Sequence, residues 1–138
     1  MYKQIQIIMD EKIKKITEVQ TLLKFTFGIV PIVAGADKFT NLLTDWSKYL
    51  HPSLAGMLPF KAHVFMMIVG IIEIIAGVLV LINPVKGAYL VSVWLVLIAL
   101  SLLASGNYLD VAVRDLVMAI SAFSLAKISG VIDSRNLA

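Results

Sequence analysis

Five ionisable residues interrupt long apolar stretches of this chain. Asp37 and Lys38 close the first, Glu73 sits in the middle of the second within IIEIIAGV (Ile71 to Val78), and Arg114 and Asp115 open the last. Carboxylates, an ammonium and a guanidinium in apolar surroundings can do three things. They can pair with one another, carry a proton, or hydrogen-bond the polar head of a lipophilic ligand. An ionised side chain at mid-membrane costs about 2.5–3.5 kcal/mol on insertion scales, so each is expected to find an internal partner. A paired Glu73 stays ionised and an unpaired one takes a proton.

Other chemistry is absent from the sequence. There is no cysteine, which excludes disulfide, thiolate-metal and CxxC redox chemistry. The only histidines are His51, beside Pro52, and His63 at the mouth of an apolar run. Neither has a second ligand at metal-binding spacing, so no metal site is expected. The chain contains no P-loop, GxGxxG or GxSxG pattern.

The elements that must position these residues follow from composition. Of the 138 residues 59% are hydrophobic and 15% charged, against roughly half and a quarter in soluble domains. Mean hydropathy is +0.91. The apolar surplus falls in blocks of about 16–20 residues, the length of membrane spans. The sequence predicts spans over about 21–39, 63–82, 88–104 and 109–127. Tight turns at NPVKG (Asn83 to Gly87) and SGNY (Ser105 to Tyr108) separate the last three. This gives an all-α, integral membrane four-helix bundle running up-down-up-down. Ala34-Gly35-Ala36 resembles a signal-peptidase site, but the region before the apolar stretch is too long for a signal peptide, and the first span is read as retained.

Residues 1–19 carry Ile5, Ile8, Met9, Ile13, Ile16 and Val19 at three- and four-residue steps, with Lys12, Lys14 and Lys15 between. The pattern predicts an amphipathic helix on the membrane surface, its lysines facing anionic headgroups, or a docking helix for a partner. The 20–128 bundle follows, and 129–138 is expected to be a polar, frayed tail. In the first loop Thr44 or Asp45 could cap a short interfacial helix reaching Leu50 and ended by His51-Pro52, with Trp46 and Tyr49 at the membrane–water boundary.

Lys3, Lys12, Lys14, Lys15, Lys86, Lys127 and Arg135 lie on the arm, second loop and tail, whereas Lys38, Lys48 and Lys61 lie on the first and third loops. The positive-inside bias places both termini in the cytoplasm and the chain as a multi-pass protein of the inner (plasma) membrane. The formal charge of +3 is topological rather than a nucleic-acid footprint. The expected partners are the lipid bilayer and other membrane subunits.

Small residues share faces with the charges. Gly28 and Gly35 step between Lys24 and Lys38, Gly70 and Gly77 flank Glu73, and Ala119 and Ala122 follow Asp115. Such stripes let membrane helices approach closely. Helical rise puts Arg114 roughly 5–10 Å and Glu73 roughly 15 Å below the boundary at the first and third loops. Arg114 could therefore meet Asp37 or Glu73, and Asp115 could meet Lys38. The expected cluster of Asp37, Lys38, Glu73, Arg114 and Asp115 either fixes helix order and register or touches a ligand. Lys24 is read as a snorkelling anchor.

The stripe Lys24…Gly28…Gly35-x-x-Lys38 resembles the first-span signature of the DoxX-like family: a basic residue, glycines, then Gly-x-x-Lys at the end of the span. The glutamate in GIIEIIAGVLVLI and the Arg114-Asp115 pair are similar to that family's second- and fourth-span features. The chain departs in having Lys24 where arginine is usual, and in its amino-terminal arm. The resemblance covers most of residues 20–128. It implies a four-helix membrane protein linked to redox complexes, one branch resembling the small subunit of a thiosulfate:quinone oxidoreductase. The fold also resembles the group that includes vitamin K epoxide reductase, whose cysteine chemistry does not carry over. Three functions are thus expected in order: a non-catalytic accessory subunit of a quinone- or redox-linked membrane complex; a quinone-binding oxidoreductase subunit using Asp37, Glu73 and Arg114; and a small proton-coupled transporter.

Overall fold

The computed structural model describes residues 1–137 and is all-helical. Helix α1 spans Tyr2–Asp37, α2 Pro52–Met57, α3 Ala62–Ile82, α4 Pro84–Ser105 and α5 Leu109–Asn136, with a 310 turn at Trp46–Tyr49. Helices α1, α3, α4 and α5 are long and apolar enough to cross a membrane, and the chain is a multi-pass membrane protein. They form a ring in which α1 packs on α3, α3 on α4, α4 on α5 and α5 on α1. Both termini lie at one end of the bundle, the terminal end. The first and third loops form the opposite, loop end.

Local chemistry sets the boundaries. Asn83 caps α4 by accepting from the Lys86 backbone N–H at 3.1 Å, with Pro84 in the first turn. Gly106 ends α4 with φ +68°, the left-handed conformation glycine adopts without strain. His51-Pro52 acts as more than a stop. The 310 turn, capped by Asp45 on the Ser47 N–H, ends before it. His51 then accepts from the Ser53 N–H at 3.1 Å and opens α2 with Pro52 in its first turn. The short first-loop helix is thus a 310 turn at its predicted place, followed by a second, unpredicted helix.

Two expectations change at the terminal end. Residues 1–19 are not a separate surface helix: α1 runs 36 residues without a break, about 54 Å against a hydrocarbon core of about 30 Å. The tail is helical to Asn136, making α5 28 residues long. The segment joining arm and span, TEVQTLLK (Thr17 to Lys24), contains no Gly, Pro or turn residue that could bend the helix into the membrane plane. Instead α1 stays beside α5. Gln20 Nε2 donates to Ser129 Oγ at 3.1 Å, and Arg135 lies 3.7 Å from Asp10. The two helices leave the bundle together as a stalk. Along it Ile5, Ile8, Ile16 and Val19 are exposed.

The core is mostly small residues set around Phe27, Leu102 and Leu125. Ala76, Val80, Ala88, Val91, Ala122, Leu125 and Ala126 fill the terminal half, and Ala99, Leu102 and Ala112 the loop half. Large apolar side chains such as Phe25, Val33, Ile75, Val93, Leu97, Val117 and Ile120 point outward. That inversion suits a lipid solvent: helix association gains from close backbone approach rather than from burying leucines.

Candidate functional site

The α1–α3 crossing brings the site together. Gly28 lies against Gly77 and, one heptad on, Gly35 lies against Gly70. A Cβ added at either Gly35 or Gly70 would stand 2.5 Å from the other's carbonyl oxygen. The helices therefore touch backbone to backbone, and glycine is required for want of room. Ala119 and Ala122 serve the α4–α5 contact. Both are buried, and Ser92 Oγ donates to the Ala119 carbonyl at 2.8 Å across that interface.

Beyond Gly35 the crossing ends in a buried ion pair. Lys38 Nζ lies 2.6 Å from Glu73 Oε2, and the two residues are 3% and 8% exposed. Helix geometry makes the meeting natural. Cα–Cβ bonds lean toward a helix's N-terminus, so Lys38 at the end of α1 leans into the bundle and Glu73 on antiparallel α3 leans toward the loop end. The Trp46 ring covers the ammonium, its centroid 3.7 Å from Nζ. A cation over an indole face in a desolvated site gains further electrostatic attraction. Glu73, the costliest residue of the apolar sequence, is thus answered by a lysine and a tryptophan.

Asp37 has a different task. Its carboxylate accepts from the Leu42 N–H at 2.9 Å, the Leu43 N–H at 3.1 Å, the Thr40 hydroxyl at 3.1 Å and Trp46 Nε1 at 2.8 Å. It folds the chain back at the end of α1, where Asn41 has a positive φ of 51°, and holds the indole over Lys38. Trp46 and Tyr49 do lie at the loop end, but half-buried and turned inward. Tyr49 meets Tyr108 edge-on at 4.8 Å and closes the first loop against the third.

The fourth-span charges part company with the expected pairs. Arg114 reaches neither Asp37 nor Glu73; its side chain is 66% exposed and its nearest acid is Asp115, at 3.9 Å. Asp115 does not meet Lys38, which Glu73 occupies. The reason is angular. Consecutive residues are about 100° apart on a helix, and with Asp115 turned into the bundle Arg114 is carried to its outside. Asp115 is 6% exposed. Among the described residues no hydrogen bond reaches it, and its ion-pair partner is Arg114.

Sequence reasoning missed Trp46 as the lid and the Ser92–Ala119 and Gln20–Ser129 bonds. It also missed Trp94, whose buried indole N–H has no acceptor among the described residues. Nothing in the spacing of Asp37 and Trp46 marks a hydrogen bond across a nine-residue loop. Two open surface hollows lie elsewhere, one between Tyr49, Pro52 and Tyr108 and the other on the stalk between Tyr2, Met9 and Arg135. No group of three or more His, Asp or Glu side chains converges among the described residues.

The chain matches no family model, no curated protein and no solved structure.

Proposed function

We propose that this protein is a DoxX-like accessory subunit of a membrane complex that handles quinones or redox equivalents. The observation that carries the reading is the stalk. Helices α1 and α5 extend together past the membrane-spanning bundle, and α1 presents Ile5, Ile8, Ile16 and Val19 to the outside. Exposed apolar residues on a segment that stands clear of the bundle are an expected mark of a protein contact. Part of the DoxX-like resemblance adds support, because its first- and second-span residues meet: Gly28 and Gly35 lie against Gly77 and Gly70, and Lys38 pairs with Glu73, whereas Arg114 and Asp115 stand outside that contact. On this reading the ion pair is a lock that holds α1 on α3, and contact with a redox-active partner gives the subunit its use. Both termini face the cytoplasm, in accord with the lysines of the arm, and the stalk is the cytoplasmic contact.

The quinone-binding alternative draws less from the geometry. It requires Asp37, Glu73 and Arg114 to act on one ligand, whereas Asp37 is filled by four hydrogen-bonded groups and Arg114 faces outward.

The test is purification from native membranes in mild detergent, with a photo-crosslinker at Ile8 and, as control, at lipid-facing Ile75. Crosslinking from Ile8 to a flavin-, haem- or quinone-containing subunit is the expected result. A lone chain or homo-oligomer, with neither partner nor bound quinone, contradicts the reading.

A further inference from the structure

The hollow at the loop end lies between the 310 turn and the third loop and measures about 440 Å³, within the range of about 300–1,000 Å³ of small-ligand sites. Lys48 and Tyr49 line it from the first loop, and Ser105, Asn107 and Tyr108 from the third. The third loop is tightly bonded. Ser105 Oγ donates to the Leu102 carbonyl at 2.7 Å and accepts from the Asn107 N–H at 3.2 Å, and the Asn107 amide donates to the Ser105 carbonyl at 3.3 Å. Tyr108 follows with a positive φ of 56°. A tyrosine pays for that conformation, which persists only where its surroundings enforce it, and such residues gather at ligand clamps among other sites. At this one the ring stands edge-on to Tyr49 at 4.8 Å and bounds the hollow.

The lining carries one cation and no acid. Lys48 Nζ lies 5.0 Å from the Tyr49 ring centroid. The ion pairs of the described residues use Lys15, Lys38, Arg114 and Arg135, and Lys48 is in none of them. Asp45, the acid nearest to it in sequence, accepts from the Ser47 N–H at 3.0 Å. The side-chain hydrogen bonds around the hollow belong to Asp45, His51, Ser105 and Asn107, which leaves the hydroxyls of Tyr49 and Tyr108 as donors. An ammonium and two phenols at one opening suit an anion with several acceptor oxygens.

Position narrows the anion. Ser105 closes α4 and Leu109 opens α5, so the hollow lies where two candidate spans meet the membrane boundary. On the spans beside it, Leu100 and Leu103 of α4 and Leu109 and Val113 of α5 are exposed, an apolar surface for acyl chains. We propose that the hollow binds the phosphate of an anionic glycerophospholipid from the leaflet at the loop end. Lys48 supplies the countercharge, the hydroxyls of Tyr49 and Tyr108 donate to phosphate oxygens, and the acyl chains lie along α4 and α5. The site is at the opposite end of the molecule from the stalk and stands apart from the accessory-subunit reading.

Native mass spectrometry of the full chain, titrated in detergent with phosphatidylglycerol, tests it. Phosphatidylglycerol is expected to bind at least several-fold more tightly than phosphatidylcholine of the same chains or diacylglycerol. Lys48→Ala, a change at an exposed residue, is expected to weaken it about tenfold, the value of one charge-assisted hydrogen bond, with no change in melting temperature. Tyr49→Phe/Tyr108→Phe keeps both rings and is expected to weaken it several-fold. Lys61→Ala, at a loop-end lysine outside the hollow, is expected to leave it unchanged. Equal retention of phosphatidylcholine or diacylglycerol overturns the proposal. So does an equal loss in Lys61→Ala, which would mark diffuse attraction to the loop end. Displacement of the lipid by soluble glycerol phosphate at equal concentration overturns the lipid as the source of the phosphate.

Discussion

Removing one partner of the Lys38–Glu73 pair should destabilise the bundle far more than removing both. In Glu73→Gln the ammonium of Lys38 stays 3% exposed, loses an anion at 2.6 Å and keeps only the Trp46 face. Breaking a buried pair in this way costs about 3–5 kcal/mol, a fall of roughly two to three and a half orders of magnitude in the folding equilibrium. Lys38→Met leaves an uncompensated carboxylate and should cost a similar amount. In the double variant Lys38→Met/Glu73→Met no charge remains, and two side chains of similar volume pack in a lipid-like interior. Its cost should be small, since replacing a buried pair by apolar residues is often neutral or favourable. The double-mutant cycle should therefore show a coupling of several kcal/mol. Reversible unfolding in mixed micelles gives the numbers. In a Trp94→Phe background Trp46 is the only tryptophan, and its ring lies directly over the ammonium. Single variants that each cost under about 1 kcal/mol, the range of exposed pairs, would refute the reasoning. So would a double variant as unstable as the sum of the singles.

Three further outcomes follow from the same geometry. Gly35→Val, measured by the same unfolding, should cost at least about 2–3 kcal/mol because the new Cβ meets the Gly70 carbonyl, while Gly56→Ala, with open space around it, should change little. Trp46→Phe keeps an aromatic face over Lys38 but loses the indole bond to Asp37, and should cost about 1 kcal/mol; Trp46→Leu loses both, with a further loss of up to about 2 kcal/mol. Asp37→Ala strips an acceptor from two backbone N–H groups, a hydroxyl and an indole, and should raise amide hydrogen exchange at Leu42 and Leu43 before it unfolds the bundle.

The bundle was legible because lipid imposes simple rules. Apolar length predicted the four spans, and Asn83-Pro84 and Ser105-Gly106 marked the turns between the last three. The glycine stripes were legible for the same reason: Gly28 and Gly35 share one face of α1, Gly70 and Gly77 one face of α3, and only close crossing gives those residues a purpose. The membership of the charged centre was legible in part. Periodicity placed Glu73 and Asp115 on inward faces, but it could not choose among several opposite charges at similar depth. That choice depends on where each side chain leans. Lys38 leans inward from the end of α1 and reaches Glu73 first, whereas Arg114 is swung to the outside by its own neighbour. Of the two readings of the arm, a surface helix or a docking helix, the first does not fit the unbroken α1, and its apolar steps suit a surface helix as well as a standing one. What distinguishes them is the unbroken Thr17–Lys24 joint, and a partner, α5, whose extension was expected to fray. The Trp46 lid was not legible at all. It depends on a loop folded around Asp37, and loop geometry leaves no periodic trace.

The measurement that bears most directly on this account is the distance between the Lys38 Nζ and the Glu73 carboxyl carbon in lipid bilayers, read by nitrogen–carbon dipolar recoupling in solid-state NMR on selectively labelled protein. A strong coupling between these two nuclei, as a 2.6 Å Nζ–Oε2 contact demands, and lost in Lys38→Met, is the predicted result. No coupling, with the Glu73 carboxyl in contact with lipid acyl chains, would contradict it.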